Sequence, residues 1–233
     1  MTGVSTAWPI CLGYIPIGLA FGVIAEKSGL NPLEIGLMSL LVFAGSAQFI
    51  AVSMLSGGAA TASIVATTFM VNLRHFLMSS SLAVYLKPDK GKRKWLWLLA
   101  YGVTDESFAI NLAKFRQGNW DMFKTLTVNQ TANFVWIIST VSGGFGGQFI
   151  PEGAFGIDYA LIAMFICLLI FQINGAIYVF TAIISGLSAI GLSLLLPGNA
   201  YIILSAMLSA TLGLMVKKWM NHKTCNNPDD QKI

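Results

Sequence analysis

The sequence predicts an all-α, polytopic membrane protein of about eight transmembrane helices, with seven as the alternative count. Composition and the placement of charge carry this prediction. Only 10% of the 233 residues are charged and 55% are hydrophobic, whereas a globular chain has about 25% charged residues. Charge-free runs cover residues 1–25, 35–73 and 159–216, and the last is long enough for nearly three spans of about 20 residues each. The net charge of +4 comes from loop and tail lysines. In a membrane protein such charges report orientation before any acidic partner, so nucleic-acid binding is not expected. Cys11, Cys167 and Cys225 are odd in number and widely spaced, which suggests neither a disulfide framework nor a metal site. Residues 1–217 read as a single transmembrane domain and 218–233 as a polar tail, with no soluble domain between them.

The first segment, about 5–25, has nothing basic before Lys27 and reads as a retained span, not a cleaved signal. Tyr14-Ile15-Pro16 interrupts it. Proline lacks a backbone donor and disfavours helix at the residue before it, so a kink or a break at Tyr14 and Pro16 is expected. The second segment, about 33–55, follows Asn31-Pro32 and carries Glu34 where the helix dipole favours a negative charge. Ser39, Ser46 and Ser53 recur every seven residues and, with Ala44-Gly45, permit close helix packing. Gln48 differs, because lipid cannot satisfy a primary amide in mid-span, so it must point into the bundle.

The third segment, about 60–86, contains Asn72, Arg74 and His75. Asn72 and His75 share one helix face, and Arg74 lies about 100° of rotation from His75. Arg74 is also some 18 Å along the helix from Lys87, too deep for easy snorkelling. The linker 87–94 is strongly basic and reads as a cytoplasmic loop. The fourth segment, about 95–115, places Thr104, Asp105 and Glu106 well inside an apolar stretch, and Asn111 shares a face with Thr104 and Ser107. A charge at membrane depth costs roughly 2.5 to 3.5 kcal/mol on insertion scales, so such groups face a bundle interior and find partners. Arg74, Asp105 and Glu106 are the charges expected at that depth. They read either as a solute site or as a structural ion pair of Arg74 with one of the carboxylates, and His75 reads either as a satisfied interior histidine or as a proton carrier.

The fifth segment, about 123–141, has a polar stripe of Thr125, Asn129, Asn133 and Trp136, with Gln130 beside it, which must face the same interior. The glycine-rich run 142–148 lacks the Lys-Ser/Thr of a phosphate loop and reads as a flexible exit from the membrane. Segments of about 159–172, 177–196 and 200–219 complete the count, the first being short enough for a re-entrant or broken helix. Shifting the chain by about 90 residues superposes the spacing of segments one to three on four to six. This suggests an inverted three-plus-three repeat, 5–86 and 95–178, with broken helices, in which the break at Tyr14–Pro16 corresponds to Thr104–Glu106. Eight spans put the basic linker and basic tail on opposite sides and seven put them together, so sidedness stays open.

The motifs Pro16 to Gly22, Pro32-Leu33-Glu34, Phe43 to Gln48, Asn72 to His75 and Thr104-Asp105-Glu106, in this order and at these depths, resemble the AzlC-type (YgaZ-like) large subunit of bacterial branched-chain amino-acid exporters. The resemblance covers about 13–217. It implies export of leucine, isoleucine, valine or analogues across the cytoplasmic membrane, together with a small AzlD-type membrane subunit. The residues are compatible with that implication, since an amino acid is a zwitterion with a compact apolar side chain. Arg74 suits its carboxylate, while Asp105 or Glu106 suits the ammonium or a coupling proton. Gln48, Asn72, His75, Thr104, Asn129 and Asn133 supply the remaining polar lining. With no nucleotide-binding domain, concentrative transport would have to use an ion gradient, the proton gradient being the expected one. The chain shows neither HExxH nor GxSxG, so it does not read as an enzyme, and no cofactor or metal is expected. A channel for a small solute and a structural or assembly subunit are the competing readings.

Overall fold

Two pairs of half-helices, each interrupted in mid-segment, set this architecture apart from a bundle of simple spans. The computed structural model describes residues 2–86, 93–118, 120–150, 159, 166, 169–170, 173, 176–195, 204–205 and 207–216. The expectations for most of the basic linker, for most of segment six, for the dividers near 172–175 and 197–199 and for the tail lie outside the described residues. The chain forms two compact units, Met1–Met164 and Phe165–Ile233. Among the described residues the ordered elements are helical, as expected. In the first unit they are α1 (Gly3–Lys27), α2 (Pro32–Val42), α3 (Gly45–Ser56), α4 (Thr61–Ala83), α5 (Trp95–Tyr101), α6 (Asp105–Arg116) and α7 (Met122–Gly147).

Local signals explain most of the boundaries. Thr2 caps α1, its hydroxyl accepting from the Ser5 N–H. At the other end Gly29 takes φ +93, its N–H donates to the Glu26 carbonyl, and the Leu30 N–H donates to the Ala25 carbonyl. This is the glycine-terminated double closure that satisfies a helix's last carbonyls. Asn31 then opens α2 through a reciprocal capping box with Glu34, with Pro32 at the first helical position. Gly58, at φ +69, closes α3 in the way that Gly29 closes α1.

The structure corrects the expected position of the first break. α1 runs unbroken through Pro9 and Pro16. Both prolines lie on the exposed face of α1, opposite the Gly3, Gly18 and Gly22 face that packs on α7, so neither ring disturbs that contact. The break falls instead at Phe43 and Ala44, between α2 and α3, where Phe43 takes φ 22 and ψ 56. A bulky residue in that region is strained. Packing holds it there, since the Phe43 ring is buried edge-on to Tyr14, with centroids 6.4 Å apart, and 6.2 Å from Tyr101. The second break, at Gly102 to Thr104 between α5 and α6, lies at the expected carboxylates. The two breaks therefore do not superpose under the 90-residue shift, and the correspondence of Tyr14–Pro16 with Thr104–Glu106 does not hold.

A second correction concerns the glycine-rich run. Ser142 to Gly147 is the last part of α7 and not a flexible exit. Its glycines are contact surface. A Cβ on Gly143 would lie 2.2 Å from the Leu19 carbonyl oxygen, and one on Gly22 would lie 2.1 Å from that of Thr140. With Gly18 and Gly147, these residues let α1 and α7 approach backbone to backbone, as small residues do in membrane helices. Above and below this contact, Phe21, Phe49, Trp136 and Tyr14 form the aromatic core.

Two described helices, Gly3–Lys27 and Ile177–Leu194, are by length and composition apolar enough to cross a membrane alone. α4 and α7 have the length, at 23 and 26 residues, and carry the polar faces that lower their hydropathy. In the second unit, α8 (Ala176–Leu195) packs on the short apolar helix Met207–Val216. A Cβ on Gly213 would lie 2.7 Å from Thr181 Oγ1, and Ser188 Oγ is 3.5 Å from Ser209 Oγ.

Candidate functional site

Breaking a helix in the middle of a bundle frees carbonyls at one side of the gap and N–H groups at the other. Side chains from the neighbouring helices satisfy many of the carbonyls. Asn129 Nδ2 donates to the Leu99 carbonyl at 3.1 Å, Gln130 Nε2 to that of Leu98 at 3.3 Å and Ser79 Oγ to that of Ala100 at 3.4 Å. His75 Nδ1 is 2.7 Å from the carbonyl oxygen of Val103. The other break is tied to this one, since the Tyr101 hydroxyl donates to the Leu40 carbonyl, and Asn133 Nδ2 donates to Tyr101 Oη at 3.1 Å.

The N-termini of the half-helices that follow the two breaks converge on Arg74. Its Nη1 lies 2.9 Å from Asp105 Oδ2 in the first turn of α6, while Nη2 donates to Ser46 Oγ in the first turn of α3. α6 is closed by a capping box, with the Thr104 N–H donating to Ser107 Oγ at 2.9 Å and the Ser107 N–H donating to Thr104 Oγ1 at 3.3 Å. α3, preceded by Ala44 at its N-cap position, has no side-chain cap. Helix N-termini favour negative charge, which is where Asp105 and Glu106 stand. The Arg74 and Asp105 side chains keep 29% and 26% exposure, so the pair is accessible and not sealed in a core.

Glu106 is held differently. The Tyr14 hydroxyl donates to Glu106 Oε2 at 2.7 Å, and Tyr14 Oη is 2.8 Å from Thr104 Oγ1. A phenol has one proton, so when it serves the carboxylate the threonine hydroxyl must supply its own proton to the phenol oxygen. Among the described residues no basic side chain pairs with Glu106. The site thus contains one carboxylate neutralised by a guanidinium and one held by a neutral hydroxyl.

Arg74, Asp105, Glu106, Thr104 and His75 come together around the α5–α6 break. Tyr14 joins them through its hydroxyl, and Pro16 lies within the unbroken helix. Asn72 lies on α4 with its Oδ1 buried. Gln48, Asn129 and Asn133 are interior as expected, but they are bonded into the frame. Gln48 Nε2 donates to Ser39 Oγ at 3.1 Å and accepts at Oε1 from Trp136 Nε1 at 2.9 Å. Ser39 in turn is 2.8 Å from Thr140 Oγ1. Asn111 Nδ2 donates to Asn129 Oδ1 at 3.1 Å, and Trp120 Nε1 donates to Asn111 Oδ1 at 3.0 Å.

Sequence reasoning missed Ser46, which looked like a packing serine, and the Tyr14 hydroxyl, which was overshadowed by Pro16. Among the described residues no group of three or more His, Cys, Asp or Glu side chains could hold a metal ion.

Residues 9–150 match the family described as AzlC protein. The chain is 31% identical over 211 residues to the branched-chain amino acid transport protein AzlC of Bacillus subtilis, covering 89% of this chain and 80% of that one. It is 31% identical over 201 residues to the inner membrane protein YgaZ of Escherichia coli, covering 82% and 81%. An uncharacterized membrane protein of Archaeoglobus fulgidus is 28% identical over 208 residues, covering 88% and 90%. No solved structure matches. Taken with the apolar helices and the buried polar frame, these similarities identify an integral protein of the bacterial cytoplasmic membrane, and the chain belongs to the AzlC family.

Proposed function

We propose that this chain is a secondary transporter that exports branched-chain amino acids across the cytoplasmic membrane, driven by the proton gradient and working with a small AzlD-type membrane subunit. One observation carries the reading. A single guanidinium sits where two half-helix N-termini meet, beside two carboxylates of which only Asp105 is bonded to it. Arg74 Nε is buried and has no hydrogen-bond partner among the described residues, so the guanidinium retains a donor for a substrate carboxylate. Asp105 has its counter-charge. That leaves Glu106, held by the Tyr14 hydroxyl, as the group that exchanges the coupling proton.

The broken helices favour the same reading, because irregular backbone at membrane depth is kept where it lines a solute path. The relative from Bacillus subtilis bears the name of a branched-chain amino acid transport protein, which supports the substrate class. The test is efflux of preloaded leucine from cells expressing the chain with and without the small subunit. Faster efflux that requires both proteins supports the proposal. Full export by the chain alone removes the partner, and no export in either case removes the function.

A further inference from the structure

On α4, Asn72 Oδ1 and His75 Nε2 are both buried, and neither has a hydrogen-bond partner among the described residues. Three residues apart, they stand on one helix face with Cβ atoms about 5–6 Å from each other. Both are acceptors. His75 Nδ1 lies 2.7 Å from the Val103 carbonyl oxygen, which can only accept, so the ring proton of the neutral imidazole belongs on Nδ1 and Nε2 presents a lone pair. The buried, partnerless Arg74 Nε–H on the same turn of α4 is a donor, so this turn offers two acceptors and one donor.

We infer that Asn72 Oδ1 and His75 Nε2 form the subsite for the primary ammonium group of the transported molecule, an inference that rests on the amino-acid reading above. An ammonium has three donors and no acceptor, and it requires a site built from acceptors. The carboxylates are the obvious alternative, but one oxygen of each already has a partner, Asp105 Oδ2 with Arg74 and Glu106 Oε2 with Tyr14, whereas Asn72 Oδ1 and His75 Nε2 have none among the described residues. Two carboxylates against one guanidinium still leave a negative balance nearby that favours a cation. The neutral acceptors provide direction while the charge acts from a distance, and a cation held in this way can be released.

The test is binding to the purified full chain, read by thermal melting with three probes. Leucine has both ends, isoamylamine only the ammonium and isocaproate only the carboxylate. Asn72→Leu is expected to weaken leucine and isoamylamine by about tenfold, the loss of one hydrogen bond to a charged group, and to leave isocaproate unchanged. Asn72→Asp keeps an acceptor at the same place and is expected to tighten isoamylamine without changing isocaproate. This second variant carries the test should the leucine variant fail to fold. Equal loss for all three probes, no change in either variant, or a wild-type chain whose melting ignores both ammonium-bearing probes would overturn the subsite. Failure of the transport reading looks different: binding follows the expected pattern, yet cells show no leucine efflux.

Discussion

Tyr14 and Glu106 are 92 residues apart in sequence, yet the phenol hydroxyl and Glu106 Oε2 are 2.7 Å apart. Arg74 makes the corresponding contact with Asp105 at 2.9 Å. The adjacent acids of α6 are therefore not equivalent, one being paired with a cation and the other with a neutral donor.

The first prediction follows from that inequality. Glu106→Gln should abolish the pH dependence of leucine efflux, whereas Asp105→Asn should lower the rate and keep the pH profile. Tyr14→Phe removes the donor but keeps the ring against Phe43 and Trp136. Loss of a hydrogen bond to a charged group is worth about 1.5–3 kcal/mol, so efflux should fall about tenfold or more with membrane abundance unchanged. Initial rates across a pH series, with immunoblots for abundance, check all three variants.

The second prediction separates substrate binding by Arg74 from a purely structural pair. Arg74→Lys keeps the charge and loses the planar array that meets Ser46, Asp105 and a carboxylate together. If Arg74 binds substrate, apparent affinity for leucine should fall while abundance stays normal, and leucine amide should compete poorly. Arg74→Ala should lower the amount of folded protein by leaving Asp105 without its counter-charge, an effect moderated by the pair's partial exposure. Competition by the amide as strong as by leucine, with Arg74→Lys unchanged, would reduce Arg74 to a counter-charge.

The third prediction concerns residues that look like site residues and are bonded as frame. Asn129→Ala leaves the Leu99 carbonyl without its side-chain donor and one Asn111 Nδ2 hydrogen without its acceptor, the amide keeping its bond to the Ser107 carbonyl. Each buried group left unsatisfied costs about 1–3 kcal/mol. The melting temperature should drop while the affinity of the remaining folded protein for leucine stays the same. A shifted affinity with unchanged melting would return Asn129 to the binding surface.

The fourth prediction tests the contact between α1 and α7. Gly22→Ala places a methyl group 2.1 Å from the Thr140 carbonyl oxygen, where only backbone can move. Overpacking of this kind costs about 1–3 kcal/mol or more. Abundance should fall, whereas Gly13→Ala, whose Cβ meets nothing within 4 Å, should be silent.

Which residues matter was largely legible in the sequence, and which segment breaks was not. Arg74, Asp105, Glu106 and the buried amides stood out because lipid cannot satisfy them. Proline drew attention to Tyr14 and Pro16, but α1 tolerates its prolines, and the first break falls at Phe43 and Ala44, where no proline occurs. That break depends on tertiary partners, such as the Tyr101 hydroxyl on the Leu40 carbonyl, and one sequence does not display a bond between residues 61 positions apart. The same applies to Gln48, whose amide is satisfied by Trp136 across 88 positions. The glycines of 142–147 read as flexible in the sequence because composition cannot distinguish a loop from a close helix contact.

Leucine counterflow separates carrier from channel most directly, in proteoliposomes that contain the chain and the small subunit, loaded with unlabelled leucine and diluted into labelled leucine. A carrier with the Arg74 and Glu106 site predicts saturable, trans-stimulated uptake that valine competes for, and Glu106→Gln should still exchange leucine while no longer responding to an imposed pH gradient. Linear, unsaturable flux or flux indifferent to internal leucine would contradict a carrier and indicate a channel, and a Glu106→Gln protein still driven by the pH gradient would contradict the role given to that carboxylate.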